Sequence, residues 1–352
     1  MRKHITDLQV GDKLSGHIYN RHGLLILSAG ATLDSEGISK LFLHNIDFID
    51  IEDRAEDRVP AQFSSNPEAI RELSEKVQPL FDSAINHMKG LFKQVSDGKT
   101  LNLKQTSQGF EPLIEKMQTR QDLVSILLTL TSTDEYTYQH SVQVGILSYY
   151  LAKWLRHSEK DAELAGQAGY LHDIGKAKIP ASILSKPARL SEAEFAEIKN
   201  HPIYGYELIK ASLNNELVAT AALQHHERLN GKGYPAGLEE REIHPLARIV
   251  AVADVYSAMI SSRVYQKERD LLHVLKELHR LSFEELDPEV VHVFIKNMLP
   301  NFVGKRFSLR TGEAGTIVWI NMHDFFRPLV KLEDHFIDLS KERDLEIDTI
   351  YM

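Results

Sequence analysis

Five histidines and two aspartates carry the chemistry available to this chain: His140, His172, Asp173, His201, His225, His226 and Asp254. Imidazole nitrogens and carboxylate oxygens together suit divalent transition metals, and a hard carboxylate can bridge two ions while imidazoles complete their shells. The densest stretch is Leu171-His172-Asp173-Ile174-Gly175-Lys176, where imidazole and carboxylate are adjacent and a cation follows. His225-His226 sets two neighbouring imidazoles ahead of Asn230-Gly231-Lys232-Gly233, a stretch built to reverse direction. Asp254 sits inside the apolar run Ile249-Val250-Ala251-Val252-Ala253-Asp254-Val255. A buried carboxylate without a partner costs on the order of several kcal/mol, so Asp254 requires a cation. Any one of these residues alone is more often structural; the case rests on their number within one block. His323-Asp324 is a second such pair, but no other ligand cluster lies near it, and it reads as a surface turn.

These residues must be held by helices. Ala162, Leu164, Ala165, Ala168 and Leu171 repeat at helical spacing, and Gly175 is expected to stop that helix with His172 and Asp173 on its last turn. Ser132 with Glu135, and Ser191 with Glu194, have capping-box spacing. The first opens the helix carrying His140; the second precedes His201-Pro202. Asp287-Pro288 opens a last helix, so residues 132–299 are expected to be almost wholly helical. Upstream, Ile70, Leu73, Val77, Leu80, Phe81, Ile85, Met88 and Leu91 form an apolar stripe, and Leu113, Ile114, Met117, Leu123, Ile126 and Leu127 form a second. Short strands punctuated by turns are expected before residue 52 and again after Asn301, where Phe307–Leu309 and Gly315–Ile320 suggest a hairpin. The fold class is therefore mainly α. A β-rich accessory module spans 1–52, a linker and helical hairpin 53–119, a helical catalytic domain 120–299 and a β-rich C-terminal module 300–352. The hairpin either packs on the main domain or forms a homodimer.

Composition bounds the function. With 352 residues, 43% hydrophobic and 26% charged, the chain is an ordinary globular protein long enough for two or three domains. It has no cysteine, which excludes disulfides and thiolate metal sites. The first residues lack the apolar core of a signal peptide, and no apolar run reaches the roughly 18 residues a bilayer needs, so a cytoplasmic protein without a membrane partner is expected. A net charge of -9 weighs against duplex nucleic acid but not against a small anionic ligand.

The order His140, His172-Asp173-Ile174-Gly175-Lys176 with Ile179-Pro180, His201-Pro202, His225-His226-Glu227, Gly233-Tyr234-Pro235 and Asp254 resembles the HD-GYP family over roughly residues 120 to 299. These are HD-domain, metal-dependent phosphodiesterases of cyclic di-GMP. The resemblance implies a helical HD-domain phosphohydrolase core and two divalent ions bridged by Asp173. One ion would be completed by His140, His172 and Asp254, the other by His201, His225 and His226. Iron or manganese suits this set, and zinc or nickel is compatible with it. The ions would clamp a phosphodiester for in-line attack by an activated water, with Asp173 and Lys176 as catalytic residues. Lys176, Gly233, Tyr234, Pro235 and Arg263 would contact substrate. The product would be pGpG, with GMP if hydrolysis continues, and the Gly-Tyr-Pro loop would offer a contact to diguanylate cyclase domains. Three positions depart from the family. Tyr136 stands where some members have a glutamate that holds a third ion, so two ions are expected. Gln266 replaces a common basic residue, weakening phosphate binding unless Lys267 compensates, and Asn230 replaces an aspartate. The alternatives are an HD phosphohydrolase of another cyclic dinucleotide, or a non-hydrolysing cyclic di-GMP sensor or docking protein. The complete set of seven donors favours the enzyme.

Overall fold

A computed structural model describes the chain except for positions 1, 5–7, 9–10, 20–24, 35–36, 38–39, 42–45, 47, 53–66, 102–108, 118–135, 187, 262–270, 322–323, 334 and 352. Two compact units are present, Met1–Ser64 and Ser65–Met352. In the first, β1 (Arg2–His4) pairs antiparallel with β4 (Phe48–Asp50), and β2 (Ile18–Tyr19) pairs with β3 (Leu25–Leu27). The sequence pattern anticipates all of these strands but β1, which is three residues long and has no alternating pattern. Leu14, Ile18, Leu33, Leu41, Ile49 and Ile51 form a small core of their own.

The second unit opens with α1 (Pro67–Ser96) and α2 (Glu111–Met117). Val77, Phe81, Ile85, Met88 and Leu91, the buried stripe of α1, join the same core as Leu113, Ile114 and Met117 and the helices that follow. The described part of the hairpin thus packs on the helical domain. Next come α3 (Tyr136–Trp154) and α4 (Glu159–Leu171), which lie side by side, then a 3₁₀ turn at Ile174–Lys178. Short helices α5 (Ala181–Leu184) and α6 (Glu192–Ile198) lead into α7 (His201–Leu213), α8 (Glu216–Gln224) and α9 (Pro245–Ser261). Then come α10 (Leu271–Leu281) and α11 (Pro288–Met298). Ser191 and Glu194 form a full capping box on α6, and Asp287 caps α11 through the backbone N–H groups of Glu289 and Val290. Ser132 and Glu135 lie outside the described residues.

After α11 the chain forms five antiparallel strands in the order β8-β7-β6-β5-β9. They are β5 (Arg306–Leu309), β6 (Ala314–Trp319), β7 (Leu329–Leu332), β8 (His335–Asp338) and β9 (Ile347–Tyr351). Phe307, Ile317, Val330 and Ile350 from this sheet share one continuous core with the helices. Among the described residues no helix is long and apolar enough to cross a membrane.

Candidate metal centre

The seven donors, drawn from five places along the chain, meet in two adjacent groups: His140, His172 and Asp254, and Asp173, His201, His225 and His226. All are buried except His226, which is partly so. His140 stands in the first turns of α3, Asp254 within α9, and the remaining five at or just beyond helix ends.

Those helix ends set the imidazoles. The last carbonyls of a helix lack backbone partners, and here the histidines take them. His172 Nδ1 is 2.7 Å from Gly169 O, His201 Nδ1 2.7 Å from Ile198 O and His225 Nδ1 2.8 Å from Ala222 O. Each carbonyl is three residues back. In a continuing helix, Gly169 O and Ala222 O would accept the N–H groups of Asp173 and His226, so the side chains compete with helix extension. Ile198 O would serve residue 202, which is Pro202 and has no N–H. A carbonyl only accepts, so Nδ1 carries the proton in all three rings and the Nε2 lone pair faces the site. His140 is fixed differently. Its Nδ1 is 3.0 Å from Ser257 Oγ, which in turn donates to Gln143 Oε1 at 3.1 Å.

This geometry produces a contradiction that only a cation resolves. His201 Nε2 and His225 Nε2 lie 3.3 Å apart, and neither bears a proton to share. His172 Nε2 and Asp173 Oδ1 are buried without a hydrogen-bond partner. Asp173 spans both groups: Oδ1 is 3.2 Å from His201 Nε2 and 3.9 Å from His225 Nε2, while Oδ2 is 3.4 Å from His172 Nε2. Asp254 does likewise, with Oδ1 3.0 Å from His140 Nε2 and Oδ2 3.7 Å from His226 Nδ1. Converging lone pairs and ionised carboxylates on buried residues fit divalent metal ions.

The electrostatics agree. Burial opposes the charge on Asp173, yet the Lys176 ammonium, with the His172 and His201 imidazoles beside it, holds its carboxyl well below the usual range. Asp254 is likewise kept ionised despite its burial, by His140, His226 and His172. Desolvation pulls His226 down to about 3. The same effect, reinforced by the neighbouring imidazoles, lowers His225 well below its ordinary value. His172 moves up instead: burial would lower it, but the Asp173 carboxylate outweighs that. Lys176 Nζ donates to Asp173 Oδ2 at 2.6 Å, with a quarter of its side chain exposed.

Gly175 does not end α4, as the sequence pattern suggests. The helix stops at Leu171, and Gly175 belongs to the 3₁₀ turn that carries Lys176. Its place is set by crowding, since a Cβ there would lie 2.0 Å from His201 O and 2.5 Å from Gly205 N.

The loop after His226 is anchored by a residue to which the sequence reading assigns no role of its own. Glu227 is buried, and its carboxylate accepts from Ala236 N at 2.7 Å and Leu238 N at 2.9 Å. Gly233 packs on this turn, where a Cβ would sit 2.4 Å from Glu227 Cα. Tyr234 lies against His226 with ring centroids 4.6 Å apart, and Pro235 is half-buried beside it. Tyr136 stacks on His140 at 5.9 Å and offers no carboxylate there. Arg263, Gln266 and Lys267 lie outside the described residues. Gln143 and Ser257 did leave a trace: they fall three residues after His140 and Asp254, on the same helix faces.

An HD domain matches residues 125–290. The chain is 33% identical over 243 residues to the cyclic di-GMP phosphodiesterase PA4108 of Pseudomonas aeruginosa, covering 69% of this chain and 58% of that protein. The chain belongs to the HD-GYP family. It is also 32% identical to the 3′3′-cGAMP-specific phosphodiesterase 1 of Vibrio cholerae, across 53% of this chain and 44% of that one. It thus spans about half the length of these relatives. In fold, this HD-GYP chain is similar to Bd1817, an HDG"Y"P protein from Bdellovibrio bacteriovorus, with a TM-score of 0.52 and 19% identity over 83% of this chain and 97% of that one.

Proposed function

We propose that this HD-GYP protein is a two-metal phosphodiesterase that hydrolyses cyclic di-GMP to pGpG, with GMP as the product of a second cut. The observation that carries the reading is the pair of carboxylates, Asp173 and Asp254, each facing both donor groups with separate oxygens. His140, His172 and Asp254 would hold one ion and His201, His225 and His226 the other, with Asp173 between them. Iron or manganese is the expected metal, from imidazole and carboxylate donors without thiolate. When bound, such ions supply Lewis-acid charge at the phosphoryl oxygens and make water a better nucleophile.

The chain's own residues do the rest. Lys176 carries a fixed ammonium at the site edge, ready to oppose charge on the phosphate or leaving oxygen. Tyr234 offers an aromatic wall beside His226 for a purine, held in place by the Glu227 anchor of its loop. Gly233 and Pro235 shape that loop, and Arg263 is proposed as a further phosphate contact. Residues 120–299 act as the catalytic domain, with 1–52 and 300–352 as β-rich modules around it and 53–119 as linker and hairpin, a candidate homodimer contact. A cytoplasmic location and an encounter with diguanylate cyclase domains through the Gly-Tyr-Pro loop belong to the same reading.

Anaerobically purified protein loaded with Mn²⁺ or Fe²⁺ and given cyclic di-GMP is expected to release pGpG, and Asp173→Ala to abolish turnover. Binding without turnover in several metals would make the protein a sensor. The relative from Vibrio cholerae, named for 3′3′-cGAMP, supports a second reading in which another cyclic dinucleotide is preferred. A faster rate on that nucleotide would replace the substrate assignment.

A further inference from the structure

Beside the donor groups is a cation that the reading above does not use. Lys199 caps the end of α6, one residue before Asn200 and two before His201, so one short corner carries both the lysine and a metal-type donor. Its Nζ lies 4.9 Å from the Phe195 ring centroid and 5.4 Å from that of Tyr234. Phe195 is half exposed, and Tyr234 lies against His226. Two aromatic faces therefore hold an ammonium at the rim without neutralising it, because a ring face attracts a cation but leaves its N–H groups free to donate.

No described residue forms an ion pair with Lys199. Glu197, the nearest acid along the chain, is occupied: its oxygens accept from Tyr204 Oη and from Asn200 Nδ2, both at 3.1 Å. Lys176 is in the opposite state, bound to Asp173 at 2.6 Å. A cyclic dinucleotide carries two phosphodiesters, each with a permanent negative charge, held apart by its ring. When one is engaged at the donor groups, the other requires its own cation or must stay in water. We propose that Lys199 binds this second, uncut phosphate, and that it is a specificity residue for cyclic dinucleotides over simple diesters. The inference rests on the phosphodiesterase reading. A charge-assisted hydrogen bond to phosphate is worth roughly 1.5–3 kcal/mol, so its loss weakens binding about tenfold or more.

The test compares wild type, Lys199→Ala and Lys199→Arg, all manganese-loaded and with metal content measured. KM and kcat are determined on cyclic di-GMP and cyclic di-AMP, and kcat/KM on bis(4-nitrophenyl) phosphate, which has a single phosphate. For Lys199→Ala, KM should rise about tenfold on both dinucleotides by a similar factor, with kcat changed far less, and Lys199→Arg should recover most of the loss. The loss in kcat/KM on the dinucleotides should exceed that on the simple diester by about the same tenfold. An unchanged KM overturns the proposal. So does an effect on one base only, which would mean a base contact, or an equal loss on the simple diester, which would mean a structural role. If wild type cuts the simple diester but neither binds nor cuts any cyclic dinucleotide, the functional reading falls and this inference with it; an active wild type with an indifferent Lys199→Ala sinks this inference alone.

Discussion

At the scale of single residues, the site is a set of buried groups that are mutually incompatible without positive charge. Asp173→Asn makes this measurable, because the amide keeps the shape and removes the charge shared by both donor groups. It is expected to lower metal content below one ion per chain and turnover by at least about 100-fold, exceeding the 10–100-fold typical of outer-shell changes. Metal analysis alongside kinetics checks it; full metal occupancy in the variant would remove Asp173 as the bridging group. Glu227→Gln acts on the loop instead. One of two buried backbone N–H groups would face an amide NH₂, costing about 1–3 kcal/mol. Thermal stability should fall and KM rise while bound metal stays the same. A variant that loses metal would place Glu227's importance at the donors. The seven donors were legible because their residue types are rare together. Glu227 was not, since a glutamate gives no sign in sequence that its carboxylate will cap two backbone amides nine and eleven residues on.

At the scale of elements, the site is made from helix ends. The His-Pro step at 201–202 shows how closely residue and element are linked: the proline frees Ile198 O, and His201 Nδ1 takes it. Periodicity located the helices of the central block well, because their apolar stripes repeat over several turns and two carry readable caps, at Ser191 and Asp287. It misplaced the end of α4. Gly175 looked like a helix stop, but His172 had already captured Gly169 O, and no sequence pattern reveals a side chain competing for a carbonyl. Strands β1 and β9 were also missed; their pairing partners lie 38 or more residues away in the register, at Phe48–Asp50 and Arg306–Leu309, and local pattern carries no such information. The real constraint on Gly175 is testable. In Gly175→Ala the new methyl meets backbone atoms of His201 and Gly205, neither of which can rotate away. The expected cost is about 1–3 kcal/mol in thermal unfolding, with His201 displaced and metal content falling from two ions toward one. An alanine variant of unchanged stability and metal content would mean the two segments are not pressed together.

At the scale of the whole molecule, folding of the Ser65–Met352 unit closes the donor groups inside one continuous core, so metal binding and stability are linked. Ions that bind only the folded chain stabilise it by about 4 kcal/mol when free metal is a thousandfold above Kd. For a unit of this size that corresponds to a Tm roughly 8 °C higher, and chelation should remove it. The metal-free protein then exposes the strain of its imidazoles through pH. Unfolded histidines titrate near about 6.5. In the fold, His226 titrates at about 3 and His225 is also held well below its ordinary value, so between these limits the unfolded chain binds more protons. Stability therefore rises with pH across that window and is lost on acidification. His172, raised by Asp173, has the opposite sign and is outnumbered two to one. The lowered carboxyls of Asp173 and Asp254 add a loss only at lower pH, below the ordinary carboxylate range. Chelated protein should consequently show a Tm that falls steadily from pH 7 to pH 5, measured by calorimetry in buffers of equal ionic strength. A flat or rising profile would mean that the imidazoles of His225 and His226 are not held neutral, and with that the argument from converging lone pairs would lose its footing.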